Sequence, residues 1–253
     1  MHLLILGATG KTGNFSYKYA LEQGHHVTIL ARATSSINPH ESLTVVKGSA
    51  LSEEDMRRAF SASGIPVDSV LQWLNPARDN DWNPWAKFRG PTRLLADATA
   101  IAARALREQQ PQPTEHKPRL IAMNALGAGE SRKVSPLITK FIIDDTNIGK
   151  TYEDHNAVDA EIEGNCGEDV LWTVALAAAL SQEGRKPVRT FAPTQTGASF
   201  SITRESCARW MVDVAGGKMG DEFTHPLKLN LKGRRPFGDT AASPLWHIPS
   251  LVR

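Results

Sequence analysis

Along the first half of the chain the spacing of apolar positions switches repeatedly between strand-like and helix-like, and each switch marks an element. Leu3–Leu6 is apolar throughout, the pattern of a short strand covered on both faces. Thr12–Gln23 continues at helical spacing with Phe15, Tyr19 and Ala20 on one face, and Gly24 is placed to end that helix. His26–Arg32 predicts a second strand and the β-branched run Leu43–Lys47 a third. Ser52 followed by Glu53, Glu54 and Asp55 predicts an N-cap with acids in the first turn, opening a helix through Phe60. Val67–Leu74 predicts a fourth strand. In Thr92–Gln109, Leu94, Leu95, Ala98, Ile101, Ala102, Ala105 and Leu106 recur at i, i+3, i+4, which predicts a long helix with a broad apolar stripe. The polar stretch Gln109–Lys117, with Pro111 and Pro113, reads as a surface connection, followed by strands over Arg119–Asn124 and Val170–Ala177.

Strands alternating with helices at this spacing imply right-handed crossovers and an α/β fold: a doubly wound parallel sheet of the Rossmann type. The division expected is one such domain over residues 1–215 and a C-terminal extension, 216–253, that supplies substrate-binding elements. Ligands of these sheets bind where the strands end, so the exits Gly7, Arg32, Ser49, Asn75, Asn124 and Ala177 are where chemistry is expected. Residues 76–90 read as a long loop leaving the fourth strand, carrying Trp82, Trp85 and Phe88 either as a lid over a flat, hydrophobic substrate or as anchors to the body. Beyond Gly216 the periodicity fades, with Phe223, Phe237 and Trp246 among prolines and glycines. That segment is expected to wrap the body, close the pocket or cross to the partner subunit of a homodimer.

The sharpest chemical signal is Gly7-Ala8-Thr9-Gly10-Lys11-Thr12-Gly13, lying directly between the first strand and its helix. Gly7 allows the tight turn, Gly10 removes a Cβ where backbone must approach phosphate oxygens, and Gly13 lets the helix pack closely on the strand. The helix N-terminus then turns amides and a positive dipole end toward an anion, which predicts a dinucleotide pyrophosphate site. A Walker A loop ending in Gly10-Lys11-Thr12 would require glycine where Ile5 stands. The second strand ends in Arg32, where an NAD site usually places an acid that repels a 2′-phosphate. A guanidinium binds phosphate bidentately, Thr34, Ser35 and Ser36 add hydroxyls, and no acid occurs before Glu41, so the expected cofactor is NADP(H). Gly7, Thr9, Gly10, Lys11, Thr12, Gly13, Arg32 and Ser49 are expected along its adenylate half, and Leu74, Asn75 and Asn124 along its nicotinamide half.

Composition narrows the partners. With 29 basic and 27 acidic residues the formal charge is +2, which calls for neither nucleic acid nor an anionic membrane. Lys228–Arg235 is locally basic but lacks interleaved aromatics and reads as a solvated surface segment. No apolar run approaches the roughly 20 residues of a membrane helix, and because Met1 and His2 lead straight into the first strand no secretory signal is expected. Cys166 and Cys207 form no spaced cluster with histidines, so no metal site is expected, and the expected setting is the reducing cytosol.

Gly7–Gly13 together with Thr28-Ile29-Leu30-Ala31-Arg32 resembles the atypical short-chain dehydrogenase/reductases of the NmrA-like, NAD(P)H-binding group that includes flavin/biliverdin-IXβ reductase. Tyr152-Glu153-Asp154-His155, Asp169–Val174 and Ser201–Ala208 resemble that group's Asp-His segment, its Trp-Thr-Ile strand and its late helix opening. The resemblance implies an NADP(H)-dependent reductase delivering hydride to a hydrophobic cyclic or aromatic ketone or enone. It leaves open a regulator that binds dinucleotide without turnover, and an isomerase or cyclase on the same fold. The wider superfamily activates a tyrosine by a lysine four residues later, but Tyr152 is followed there by Asn156, and Met123-Asn124-Ala125 stands where its serine would be. Relatives also continue Trp-Thr-Ile into Arg-Pro, whereas Leu176-Ala177-Ala178 makes that wall apolar. The catalytic candidates are therefore His155, with Asp154 or Asp159 fixing its tautomer, together with Tyr152 and Asn124.

Overall fold

The computed structural model describes residues 1–80, 82–109, 117–195, 201–219 and 227–233. The expected connection around Pro111 and Pro113, and Phe223, Phe237 and Trp246 of the C-terminal extension, lie outside the described residues. In chain order the elements are β1 (His2–Leu6), α1 (Gly13–Glu22), β2 (His26–Ala31), β3 (Leu43–Lys47), α2 (Glu53–Ser61) and β4 (Ser69–Gln72). A two-stranded hairpin of β5 (Ala77–Arg78) and β6 (Phe88–Arg89) precedes α3 (Leu94–Glu108) and β7 (Arg119–Ala125). A 3-10 turn over Gly129–Val134 leads to α4 (Leu137–Asp145), α5 (Gly149–Cys166) and β8 (Leu171–Ala177). Short strands β9 (Ala179–Ser181), β10 (Val188–Phe191) and β11 (Ser201–Thr203), then α6 (Arg204–Ala215) and β12 (Leu227–Gly233), complete it.

The main sheet runs β10-β12-β8-β7-β4-β1-β2-β3, parallel throughout except for β10, which pairs antiparallel with β12 at one edge. Side chains of β1 divide by parity, as a strand must. Leu3 and Ile5 enter one core with Tyr17 and Ala20 of α1 and Ala208, Met211 and Val212 of α6. Leu4 and Leu6 enter the other with Met56 of α2, Leu95 and Leu106 of α3 and Val158 and Ile162 of α5. The doubly wound arrangement read from the sequence is the one observed.

Two local signals act as read. Ser52 caps α2 by accepting the Asp55 amide at 3.2 Å, and Gly24, at φ 76°, closes α1 by donating to the Leu21 carbonyl at 2.9 Å. Three readings need correction. The fourth strand is a ladder over Ser69–Gln72; Trp73 extends it by one bond, its amide donating to the Leu6 carbonyl at 2.9 Å, whereas Val67 pairs with the Gln109 side chain, its amide donating at 2.8 Å and its carbonyl accepting at 2.9 Å. The long loop of residues 76–90 is not wholly irregular, since Ala77–Arg78 pairs antiparallel with Phe88–Arg89 at its base. Lys228–Arg235 is no solvated segment: through Gly233 it is β12, hydrogen-bonded to β8, with Leu229 and Leu231 in the core. Lys228 pairs with Asp159 and Glu163 of α5 at 3.0 and 3.1 Å. The alternation Leu227-Lys228-Leu229-Asn230-Leu231-Lys232 is the period-two signal of that strand.

Candidate functional site

The chain runs from β1 outward to β3 on one side and from β4 outward through β7, β8 and β12 on the other, so the order reverses between β1 and β4. A crevice opens at such a switch point, and the glycine loop sits on it. Gly7 turns at φ 81°, and a Cβ there would lie 2.9 Å from the Trp73 backbone at the exit of β4. A Cβ on Gly13 would lie 2.3 Å from the Gly7 carbonyl oxygen, so α1 can start directly on the end of β1 only because position 13 has no side chain. Gly10 closes the turn by donating to the Gly7 carbonyl at 3.0 Å. Thr9, Gly10 and Lys11 are exposed.

The other expected cofactor residues fall along the same edge. Arg32 is exposed immediately after β2, beside the loop strand. Leu74 is half-buried and Asn75 exposed beyond β4, while apolar Leu176, Ala177 and Ala178 line the exit of β8. Ser49 is engaged locally: its amide donates to Asp55 at 2.8 Å and its hydroxyl accepts the Leu51 amide at 3.2 Å, turning the chain into α2. Asn124 is buried, donating to the His155 carbonyl at 2.9 Å and accepting the amide of Ala125 at 2.8 Å, so it ties β7 to α5.

The Asp-His segment has a different architecture from the one expected. Neither carboxylate orients His155. Asp154 accepts the amides of Leu95 and Ala96 at 2.8 and 2.9 Å, capping α3 from a neighbouring helix because Arg93 at its N-cap position provides no side-chain cap. Burial raises its carboxyl above the ordinary value in spite of those two bonds. Asp159 points to Lys228 instead. His155 packs 5.5 Å from the Tyr152 ring, its Nδ1 is buried with no partner among the described residues, and burial pushes its pKa down to about 4. It is neutral at pH 7, so it cannot supply a proton as imidazolium. The Tyr152 hydroxyl donates to the Leu126 carbonyl at 2.9 Å, and burial pushes its pKa up to about 12. The position where a lysine would stand, Asn156, accepts the Gly129 amide at 2.9 Å.

A pH dependence of stability follows from His155. Its folded pKa lies below the ordinary 6.5, so its neutral form stabilises the fold fully above pH 6.5, and that contribution is lost as pH falls toward 4. Urea denaturation at pH 7 and pH 4 is expected to show about 3 kcal/mol of loss that His155→Gln removes. Equal pH dependence in wild type and variant would contradict the assignment.

Of the aromatics in residues 76–90, Trp85 is an anchor: its indole N–H donates to the Asp145 carbonyl at 3.2 Å, and its own carbonyl accepts from Asn147 at 2.5 Å. Trp82, at 95% exposure, projects from the same hairpin. Cys166 and Cys207 are free and buried, with thiol pKa values near 12, and sit in opposite cores. Among the described residues no group of three or more His, Cys, Asp or Glu could hold a metal, and no helix is long and apolar enough to cross a membrane.

The residue that sequence reasoning missed is Arg204, which opens α6 and donates from Nη1 to the Thr12 hydroxyl at 3.1 Å. Only the tertiary fold joins positions 192 residues apart.

Comparison with known proteins agrees with this architecture. The model of the NAD(P)H-binding family matches residues 7–217, and the chain belongs to that family. No curated protein matches it. Among solved structures it is similar to a short-chain dehydrogenase/reductase of Veillonella parvula in complex with NADP, at 16% identity and TM-score 0.68, covering 93% of this chain and 94% of that one. ChuY, an anaerobillin reductase of Escherichia coli O157:H7, is 14% identical with TM-score 0.66, covering 95% of this chain and all of ChuY. The oxidoreductase ylbE of Lactococcus lactis is 11% identical with TM-score 0.68, covering 93% of this chain and 92% of that one.

Proposed function

We propose that this chain is an NADP(H)-dependent reductase that delivers hydride to a hydrophobic cyclic or aromatic ketone or enone. The observation carrying the reading is the cradle at the switch point, where Gly7 and Gly13 occupy positions that any Cβ would block, beside the exposed guanidinium of Arg32. Gly7, Thr9, Gly10, Lys11, Thr12 and Gly13 hold the pyrophosphate, and Arg32 takes the 2′-phosphate. Leu74 and Asn75 face the nicotinamide half. Bound NADPH supplies the hydride. The chain's part is to orient the two molecules and exclude water, with Leu176, Ala177, Ala178 and Trp82 as the apolar surface for the substrate. Tyr152, His155 and Asn124 position α5 against β7 and the turn at Leu126, and the proton comes from solvent or from the substrate itself.

A second reading, a regulator that binds dinucleotide without turnover, is favoured by one observation: the Tyr152 proton is committed to the Leu126 carbonyl, with Asn156 at the position an activating lysine would take. Adding quinones, flavins and enones to the protein with NADPH separates the two. Oxidation of NADPH at 340 nm supports the reductase, whereas binding without oxidation across the panel supports the regulator.

Cofactor selectivity is a separate expected outcome. Arg32→Glu should weaken NADPH about 100-fold and NADH by no more than about threefold, because the carboxylate repels only the 2′-phosphate. Equal losses for both would mean that Arg32 does not touch it.

A further inference from the structure

We infer that Arg204 is a cofactor-binding residue that joins Thr12 of the glycine loop in clamping the dinucleotide pyrophosphate at the start of α1; this rests on the nucleotide reading above. Helices α1 and α6 lie side by side and run in the same direction. Arg204 meets Thr12 at their starts, the Tyr19 hydroxyl donates to Asp213 at 2.9 Å further along, and Gln23 meets Lys218 beyond their ends. Both helices therefore begin at the edge of the sheet that carries the strand exits, and both positive dipole ends face the crevice.

Within that frame Thr12 behaves unusually for an N-cap residue. It is buried and makes no side-chain cap bond, and its hydroxyl accepts from Arg204 instead. A hydroxyl that accepts from a guanidinium keeps its own proton to donate. Thr12 and Arg204 thus present an O–H and a planar cation at the mouth of α1, where a bridging phosphate oxygen would lie. Arg32 and Arg204 then divide the cofactor's charge, Arg32 serving the 2′-phosphate and Arg204 the pyrophosphate common to both nicotinamide dinucleotides.

That division is testable on the full-length protein by titrating NADPH, NADH and adenosine 2′-monophosphate, which carries the 2′-phosphate but no pyrophosphate. Arg204→Ala should weaken NADPH and NADH by the same factor, roughly 10- to 100-fold, with adenosine 2′-monophosphate unchanged. Arg204→Lys, keeping the charge but not the fork, should recover part of the loss for both dinucleotides. Dinucleotide affinities within about twofold of wild type would overturn the inference. So would a matching loss for adenosine 2′-monophosphate accompanied by a lowered Tm, the signature of a strut between α1 and α6. If wild-type protein binds neither dinucleotide, it is the nucleotide reading that fails; if wild type binds and Arg204→Ala binds equally, only the clamp fails.

Discussion

Asp154→Ala is expected to destabilise the protein by about 3 kcal/mol, because it strips two buried amides of the acceptor they share and removes the anion facing the α3 dipole. The carboxylate accepts from Leu95 and Ala96 at 2.8 and 2.9 Å, at the one point where α3 has no cap of its own. The desolvation that holds this carboxyl above its ordinary value offsets part of the gain, which keeps the expected loss well below the sum of two charge-assisted bonds. Asp154→Asn retains one acceptor oxygen and should lose about half as much. Urea unfolding with an unchanged m-value reads both variants. A midpoint for Asp154→Ala equal to that of wild type would show that the interhelix cap contributes nothing.

Gly13→Ala should cost at least about 3 kcal/mol and abolish dinucleotide binding together. Its new Cβ would stand 2.3 Å from the Gly7 carbonyl oxygen and 2.9 Å from the Gly7 carbonyl carbon. Both are backbone atoms, so no rotamer change relieves the clash and α1 must move off the end of β1. That shift carries the Gly10–Thr12 backbone away from the place a pyrophosphate needs it. Gly24→Ala is the matched control: its φ is 76° but nothing lies within 4 Å of the added carbon, so only the left-handed backbone penalty of about 1 kcal/mol applies. If Gly13→Ala binds NADPH like wild type, close packing of helix on strand is not what shapes the loop.

The parts of the structure that a linear reading reaches are those where one local signal settles the geometry. Leu3–Leu6 running into Gly7–Gly13 dictates a strand, a turn and a helix start without help from the rest of the chain, and Ser52 finds the Asp55 amide three residues away. Strand exits were legible for the same reason, since parallel crossovers bring every exit to one edge. Residues whose roles depend on distant partners were not. Asp154, His155 and Tyr152 read as a chemical constellation because all three titrate, yet their partners lie on α3 and at Leu126, and burial rather than mutual contact decides their protonation. Strand β12 hid its alternating leucines among lysines, and it inserts between β8 and β10, away from any neighbour in sequence. Arg204 was legible only as part of Ser201–Ala208, the segment resembling a late helix opening, and its partner was not, because Thr12 is 192 positions away.

Titrating the purified protein with NADPH up to millimolar concentration, by calorimetry and by cofactor fluorescence, tests the central claim most directly. Saturable binding with shifted NADPH fluorescence, weaker for NADH and reversed by adenosine 2′,5′-bisphosphate, is the expected result. No heat and no spectral change over that range would contradict it.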